Sequence, residues 1–188
     1  MIAGLALAGG ASRRMGGVDK MLLEIGGRPM LSYVLARLRG ETEAVAISAN
    51  GDPARFATFG CPVLPDREFT GCGPLAGVLA GLEWAASLGA GTLLTIPGDT
   101  PFVPAGVAAA LAPAPACAAA GGLSQHLVGL WPVEASSALR DFLDDPGPHS
   151  VHRFAPAIGM RVVGFADAEQ QFRNINTPRD LAGARLSS

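Results

Sequence analysis

Short apolar runs alternate with longer amphipathic stretches along this chain. Residues 2–8 are almost wholly apolar and end in Gly9-Gly10, the pattern of a strand buried on both faces. Pro29 then precedes Met30, Leu31, Val34, Leu35 and Leu38, which fall on one face at helical spacing. Residues 44–49 form a second apolar run, closed by the turn Asn50-Gly51-Asp52-Pro53, and residues 61–64 form a third. Gly73-Pro74 opens a helix carrying Leu75, Val78, Leu79 and Leu82, with the proline in the first turn. Residues 92–96 read as a fourth strand, followed by Pro97-Gly98-Asp99-Thr100-Pro101. A helix over 104–111, strands over 116–120 and 127–131, a helix over 135–143 and a strand over 161–165 complete the pattern. Thr177-Pro178 reads as the cap and first turn of a last helix.

This alternation predicts one α/β domain over residues 1–188, built in three layers as a mostly parallel sheet with helices on both faces. There is no internal repeat and no linker. Ligands of such sheets bind beyond the carboxyl ends of the strands. The expected crevice therefore gathers residues 9–20, Asn50, residues 65–73 and residues 97–101.

Composition narrows the function. Charged residues are 16% and hydrophobic ones 49%, which excludes a disordered chain. Net charge is −2 with no basic tail, which argues against nucleic acid as the main partner. The three cysteines are odd in number and lack a CxxC pair, as expected in a reducing compartment without a structural metal. No cationic segment precedes residues 2–8, and prolines and Gly121-Gly122 interrupt the uncharged stretch 100–132. A cytoplasmic protein with no membrane span is expected. One count stands apart: of 14 Lys+Arg residues, 13 are arginine, and Lys20 is the single lysine.

Lys20 closes the loop Leu7-Ala8-Gly9-Gly10-Ala11-Ser12-Arg13-Arg14-Met15-Gly16-Gly17-Val18-Asp19-Lys20. Gly9 and Gly10 let backbone approach a ligand, consecutive amides can cradle an anion, and Arg13, Arg14 and Lys20 add positive charge. The composition suits phosphates. It is neither a Walker A loop, which needs Gly-Lys-Ser/Thr, nor a GxGxxG dinucleotide fingerprint. A glycine-rich turn with solvated arginines is the plain alternative.

The same loop, with Leu22-Leu23 and Gly27-x-Pro29 after it, closely resembles the molybdenum cofactor guanylyltransferase family. Asp66 with Gly73-Pro74-Leu75-Ala76-Gly77, the segment 96–102, His126-x-Val128-Gly129-Leu130-Trp131 and Asn174-Ile175-Asn176-Thr177-Pro178 extend the resemblance over nearly the whole chain. It implies a nucleotide-diphospho-sugar transferase-like fold. It also implies transfer of GMP from GTP to molybdopterin with release of pyrophosphate, Mg²⁺ as cofactor, and molybdenum-cofactor delivery proteins as partners. Asp99 would hold the metal, and Lys20, Arg14 and Asp99 would be catalytic. Leu7, Ala8, Gly9, Gly10, Lys20, Asn50, Asp66, Gly73, Gly77 and Asp99 would bind the nucleotide. His126, Asn174 and Asn176 would serve the pterin side.

Each assignment has a plainer counterpart. Asp99 and Asp66 could be turn aspartates, Lys20 a surface lysine, and Gly73 and Gly77 helix-start glycines. Asn174 and Asn176 could cap the last helix, and His126 could be structural. Ser48 stands where relatives often have Asn, and Leu127 where Pro is usual. His149 and His152, three residues apart, read as surface residues. Alternative functions are a related cytidylyltransferase, a sugar-phosphate nucleotidylyltransferase, and a non-catalytic cofactor-binding protein. Gly9, where such relatives tend to have Ala, favours guanine.

Overall fold

The computed structural model describes residues 1–9, 19–166, 168–176 and 180. The first strand, β1 (Ile2–Leu7), is followed by a short hairpin of β2 (Glu24–Ile25) and β3 (Arg28–Pro29), then by α1 (Met30–Glu41). Next come β4 (Ala44–Ser48), β5 (Val63–Leu64), α2 (Pro74–Ser87), β6 (Thr92–Pro97) and α3 (Val107–Leu111). The chain continues with β7 (Ala116–Ala120), β8 (Leu123–Pro132), α4 (Ala135–Asp144), α5 (Val151–Phe154) and β9 (Arg161–Gly164). Short 3-10 turns cover Lys20–Leu22, Pro53–Phe59, Arg67–Phe69 and Ala155–Ile158.

Seven strands form one sheet in the order β5-β4-β1-β6-β8-β7-β9. β1, β4, β5 and β6 run parallel, β8 is antiparallel to both β6 and β7, and β7 pairs β9 in parallel. The predicted α/β class and mostly parallel sheet therefore hold. The strand predicted over 127–131 is longer, running over Leu123–Pro132, because residues 123–125 also pair with β7 as a hairpin arm. The helix predicted over 104–111 begins only at Val107.

Side-chain alternation in β1 sends successive residues to opposite faces. Ala6 joins α1 and α3 in one apolar core, while Ala3, Leu5 and Leu7 join α2, α4 and α5 in the other. Each face of the sheet is thus covered by helices, and β1 and β6 sit at its centre. On the α2 face, Trp131 is fully buried, and its indole N–H donates to Thr95 Oγ1 at 2.8 Å. Thr95 Oγ1 in turn donates to the Leu127 carbonyl at 2.8 Å. A buried polar group is thereby paired, and β8 is held in register beside β6. Among the described residues, no helix is long and apolar enough to cross a membrane.

Candidate active site

The carboxyl ends of β1, β4, β5 and β6 face one crevice. Backbone pairing persists past the strand ends: Ala8 N donates to the Ser48 carbonyl and Gly98 N to the Leu7 carbonyl, both at 2.9 Å. Leu7 and Ala8 are buried by this arrangement, and Gly9 is the exposed residue that follows them. Gly10 and Arg14, both expected to contact the nucleotide, lie outside the described residues, as do Arg13 and the Thr177-Pro178 helix start.

Lys20 opens the 3-10 turn Lys20–Leu22, whose cap is Asp19: its carboxylate accepts from Met21 N at 3.1 Å. The turn folds the lysine inward, leaving it only 9% exposed. Its ammonium donates to Asp99 Oδ2 at 2.9 Å and to Asn176 Oδ1 at 2.6 Å. Ile175 N donates to the Asp99 carbonyl at 2.8 Å, and Thr100 Oγ1 donates to Asn174 Oδ1 at 3.0 Å. The segment 174–176 is therefore laced to the loop after β6. Lys20, Asp99, Asn174 and Asn176 stand together in one polar cluster, and Lys20 is not a surface lysine.

That cluster bears on whether a divalent cation fits. Asp99 Oδ2 is committed to Lys20, whereas among the described residues Oδ1 has only Thr100 Oγ1, at 3.5 Å. One carboxylate oxygen is available, next to an ammonium that attracts phosphate. Among the described residues, no group of three or more His, Cys, Asp or Glu side chains could hold a metal. The donor set therefore suits a hard cation bound by one carboxylate and completed by substrate oxygens, the usual manner of Mg²⁺.

Across the crevice, Asn50 and Asp66 form a reciprocal pair. Asn50 Nδ2 donates to Asp66 Oδ2 at 2.6 Å, and Asp66 N donates to Asn50 Oδ1 at 2.9 Å. The other carboxylate oxygen, Asp66 Oδ1, is buried with no partner among the described residues. Burial raises the carboxyl above its ordinary value, and the Asn50 hydrogen bond opposes that rise. Sequence reasoning gave Asn50 and Asp66 parallel roles. Their geometry divides them: Asn50 orients Asp66, and Asp66 carries the unused acceptor.

Gly73 caps α2 with φ 80° and ψ −164°, a conformation that favours glycine. Gly77 has a different reason to lack a side chain. A Cβ there would lie 2.2 Å from Ser48 Oγ, so its space is filled by β4 rather than kept open for a ligand.

His126 on β8 packs its ring edge-on against His152 of α5, with centroids 5.7 Å apart. Burial, and then the neighbouring His152, lower the His126 pKa. His149 and His152, read from the sequence as surface residues, are not grouped: His152 is exposed, and half-buried His149 precedes α5, contacts the Asp145 carbonyl at 2.9 Å and lies edge-on to Phe142. Their i, i+3 spacing brings no pair together, because α5 begins at Val151 and includes only His152.

Sequence reasoning missed Thr100, Asp19 and Arg55. Arg55 lies 3.3 Å from Asp19 Oδ2 and donates to the Asn50 carbonyl at 2.7 Å. Asp19 was legible as a helix-capping residue type; the arginine's ion pair with it depends on tertiary folding and left no local signal.

Comparison with known proteins agrees with this geometry. Residues 4–158 match the MobA-like NTP transferase domain. The chain is 59% identical over 178 residues to the molybdenum cofactor guanylyltransferase of Acidiphilium cryptum, covering 95% of this chain and 91% of the relative. It is 51% identical over 185 residues to that of Cereibacter sphaeroides, covering 96% and 94%. Among solved structures, molybdopterin-guanine dinucleotide biosynthesis protein A from Archaeoglobus fulgidus superposes with a TM-score of 0.75 at 21% identity, covering 100% of this chain and 98% of that one.

Proposed function

The chain belongs to the MobA-like NTP transferase family, and from that premise we propose that it is a molybdenum cofactor guanylyltransferase, transferring GMP from GTP to molybdopterin. A single domain over residues 1–188 carries the activity. The observation that supports the reading best is the Lys20–Asp99–Asn176 cluster, with an Asp66 oxygen unpartnered among the described residues across the crevice, at the carboxyl ends of the parallel strands.

The reaction is an in-line displacement at the α-phosphorus of GTP. A terminal phosphate oxygen of molybdopterin forms the new P–O bond as the bond to pyrophosphate breaks. The nucleophile is already an anion, so positioning and charge stabilisation supply the catalysis. Lys20 contributes a point charge. Its ammonium has three N–H donors, of which Asp99 and Asn176 take two, leaving one for a phosphate oxygen. Gly9 at the end of β1 brings backbone close to the phosphates, and Gly10 and Arg14 continue that loop.

Asp66 supports the choice of guanine. Guanine offers adjacent N–H donors on its Watson–Crick edge, whereas cytosine and adenine each place a ring acceptor there. An ionised carboxylate oxygen with no internal partner pairs with donors and repels acceptors. Gly73 admits the nucleotide near the start of α2. His126, Asn174 and Asn176 serve the pterin side.

Asp99 would hold Mg²⁺ through its less engaged oxygen. When bound, the ion supplies charge neutralisation across the nucleotide phosphates. The protein works in the cytoplasm, where its product passes to molybdenum-cofactor delivery proteins.

Pyrophosphate release tests the reading when GTP, CTP and ATP are crossed with and without molybdopterin, in the presence of Mg²⁺. Release with GTP that requires molybdopterin is the expected result. Preference for CTP would indicate a cytidylyltransferase, and no release with any nucleotide would indicate a binding protein.

A further inference from the structure

We propose that Arg55 is a positioning residue that fixes the phosphate-binding half of the crevice relative to the base-binding half. The inference rests on the reading that the crevice binds GTP.

Arg55 lies in the 3-10 turn Pro53–Phe59, which is anchored by Asp52: its carboxylate accepts from Ala54 N at 2.9 Å. From there the guanidinium is held on three sides. Its Nε lies 3.3 Å from Asp19 Oδ2, and its Nη2 donates to the Asn50 carbonyl at 2.7 Å. Its Cζ sits over the fully buried Phe56 ring, 4.7 Å from the centroid.

Both polar partners lead directly into the site. Asp19 caps the turn that carries Lys20, through the oxygen that does not face Arg55. Asn50 orients Asp66. One planar fork thus fastens the base of the Lys20 turn to the strand end that presents Asp66. Among the described residues, no other hydrogen bond or ion pair joins segment 19–23 to segment 50–66. GTP must touch both halves at once, with phosphates at Lys20 and base at Asp66. Its affinity therefore depends on their separation, which Arg55 sets without touching either end.

The ion pair is partly solvated, with 34% of the Arg55 side chain exposed, so it contributes little to global stability. This separates a positioning role from a structural one. A lysine would keep the charge but not the planar fork that directs Nε and Nη2 to two partners in fixed directions, so it reproduces the link only in part.

The experiment measures the GTP dissociation constant, kcat and Tm for the full chain and for Arg55→Ala, Arg55→Lys, Asp19→Asn and the Asp19→Asn/Arg55→Ala pair. Asn retains helix-capping ability, so Asp19→Asn removes the charge and keeps the cap. Arg55→Ala should weaken GTP binding about tenfold, change kcat at saturating GTP less than about threefold, and move Tm by less than about 3 °C. Arg55→Lys should recover part of the affinity. The double variant should bind GTP no more weakly than Arg55→Ala alone, because both changes cut the same link. The proposal is overturned if Arg55→Ala binds GTP within twofold of the wild type, if its loss tracks a collapse in Tm, or if the two substitutions add. Failure of the wild type to bind GTP would overturn the functional reading and this inference together, whereas normal wild-type binding with an unaffected Arg55→Ala overturns the inference alone.

Discussion

Lys20 and Asp99 meet at 2.9 Å between the loops that follow the two central strands, β1 and β6. Asn176, 156 positions from Lys20, completes the ammonium's surroundings at 2.6 Å. A long flexible side chain is thereby held in one place before any ligand arrives. Pre-set charge of this kind lowers a barrier because little must reorganise when the reaction proceeds.

Removing that charge should strike turnover. Lys20→Met should lower kcat about 100- to 1,000-fold, the usual effect of losing one electrostatic contact to a developing anion. Lys20→Arg should recover only part of it, since a planar fork does not reproduce a compact ammonium between two acceptors. Steady-state kinetics with GTP and molybdopterin decide this, and near-normal kcat in Lys20→Met would contradict the role.

Asp99→Ala should leave the fold intact and abolish divalent-metal-dependent turnover. In the wild type, chelation should stop the reaction and added Mg²⁺ should restore it. Circular dichroism checks the fold, and pyrophosphate release checks the activity. Full activity in Asp99→Ala would remove this residue from the metal site.

Asp66 makes a prediction about pH. Burial raises its folded pKa above the ordinary 3.8, so the native state holds a proton more tightly than the unfolded chain. In that window the unfolded state binds fewer protons, and stability falls as pH rises through it. Asp66→Asn should remove this fall, which thermal melts between pH 3 and 7 would register. GTP binding needs the ionised carboxylate, so wild-type affinity should drop in acid at a higher pH than an ordinary aspartate would give. Asp66→Asn should bind GTP about tenfold or more weakly at pH 7 and lose that acid limb.

Gly77 separates packing from ligand approach. Gly77→Ala would press a methyl against Ser48 Oγ and cost about 1–3 kcal/mol of stability, the usual cost of overpacking. Ser48→Ala removes that oxygen, although Ser48 Cβ would still lie 3.2 Å from the new methyl. The double variant should therefore recover part of the loss. Denaturant melts of the three variants measure this. Full stability in Gly77→Ala with impaired GTP binding would point instead to close approach of the nucleotide.

The sequence made the central sheet legible because its buried parallel strands are nearly unbroken apolar runs, as residues 2–8 and 92–96 show. Lys20 was legible from composition and motif together: a lone lysine at the end of a glycine-rich loop. The hairpin extension of β8 was not, because residues 123–126 are too polar to signal a strand before β7 is beside them. The division of labour between Asn50 and Asp66 was also hidden. It depends on which carboxylate oxygen the amide takes, and only the folded turn decides that. Arg55 escaped for a related reason: its charged partner, Asp19, sits on another segment, Asn50 offers it only a backbone carbonyl, and periodicity says nothing about ion pairs across a crevice.

The most direct test follows the phosphorus itself. GTP labelled at the α-phosphate is incubated with the protein, Mg²⁺ and molybdopterin, and the products are separated and counted. The label should move onto a pterin-containing product in step with pyrophosphate release. Label remaining in GTP, or appearing only as free GMP or GDP, would contradict it.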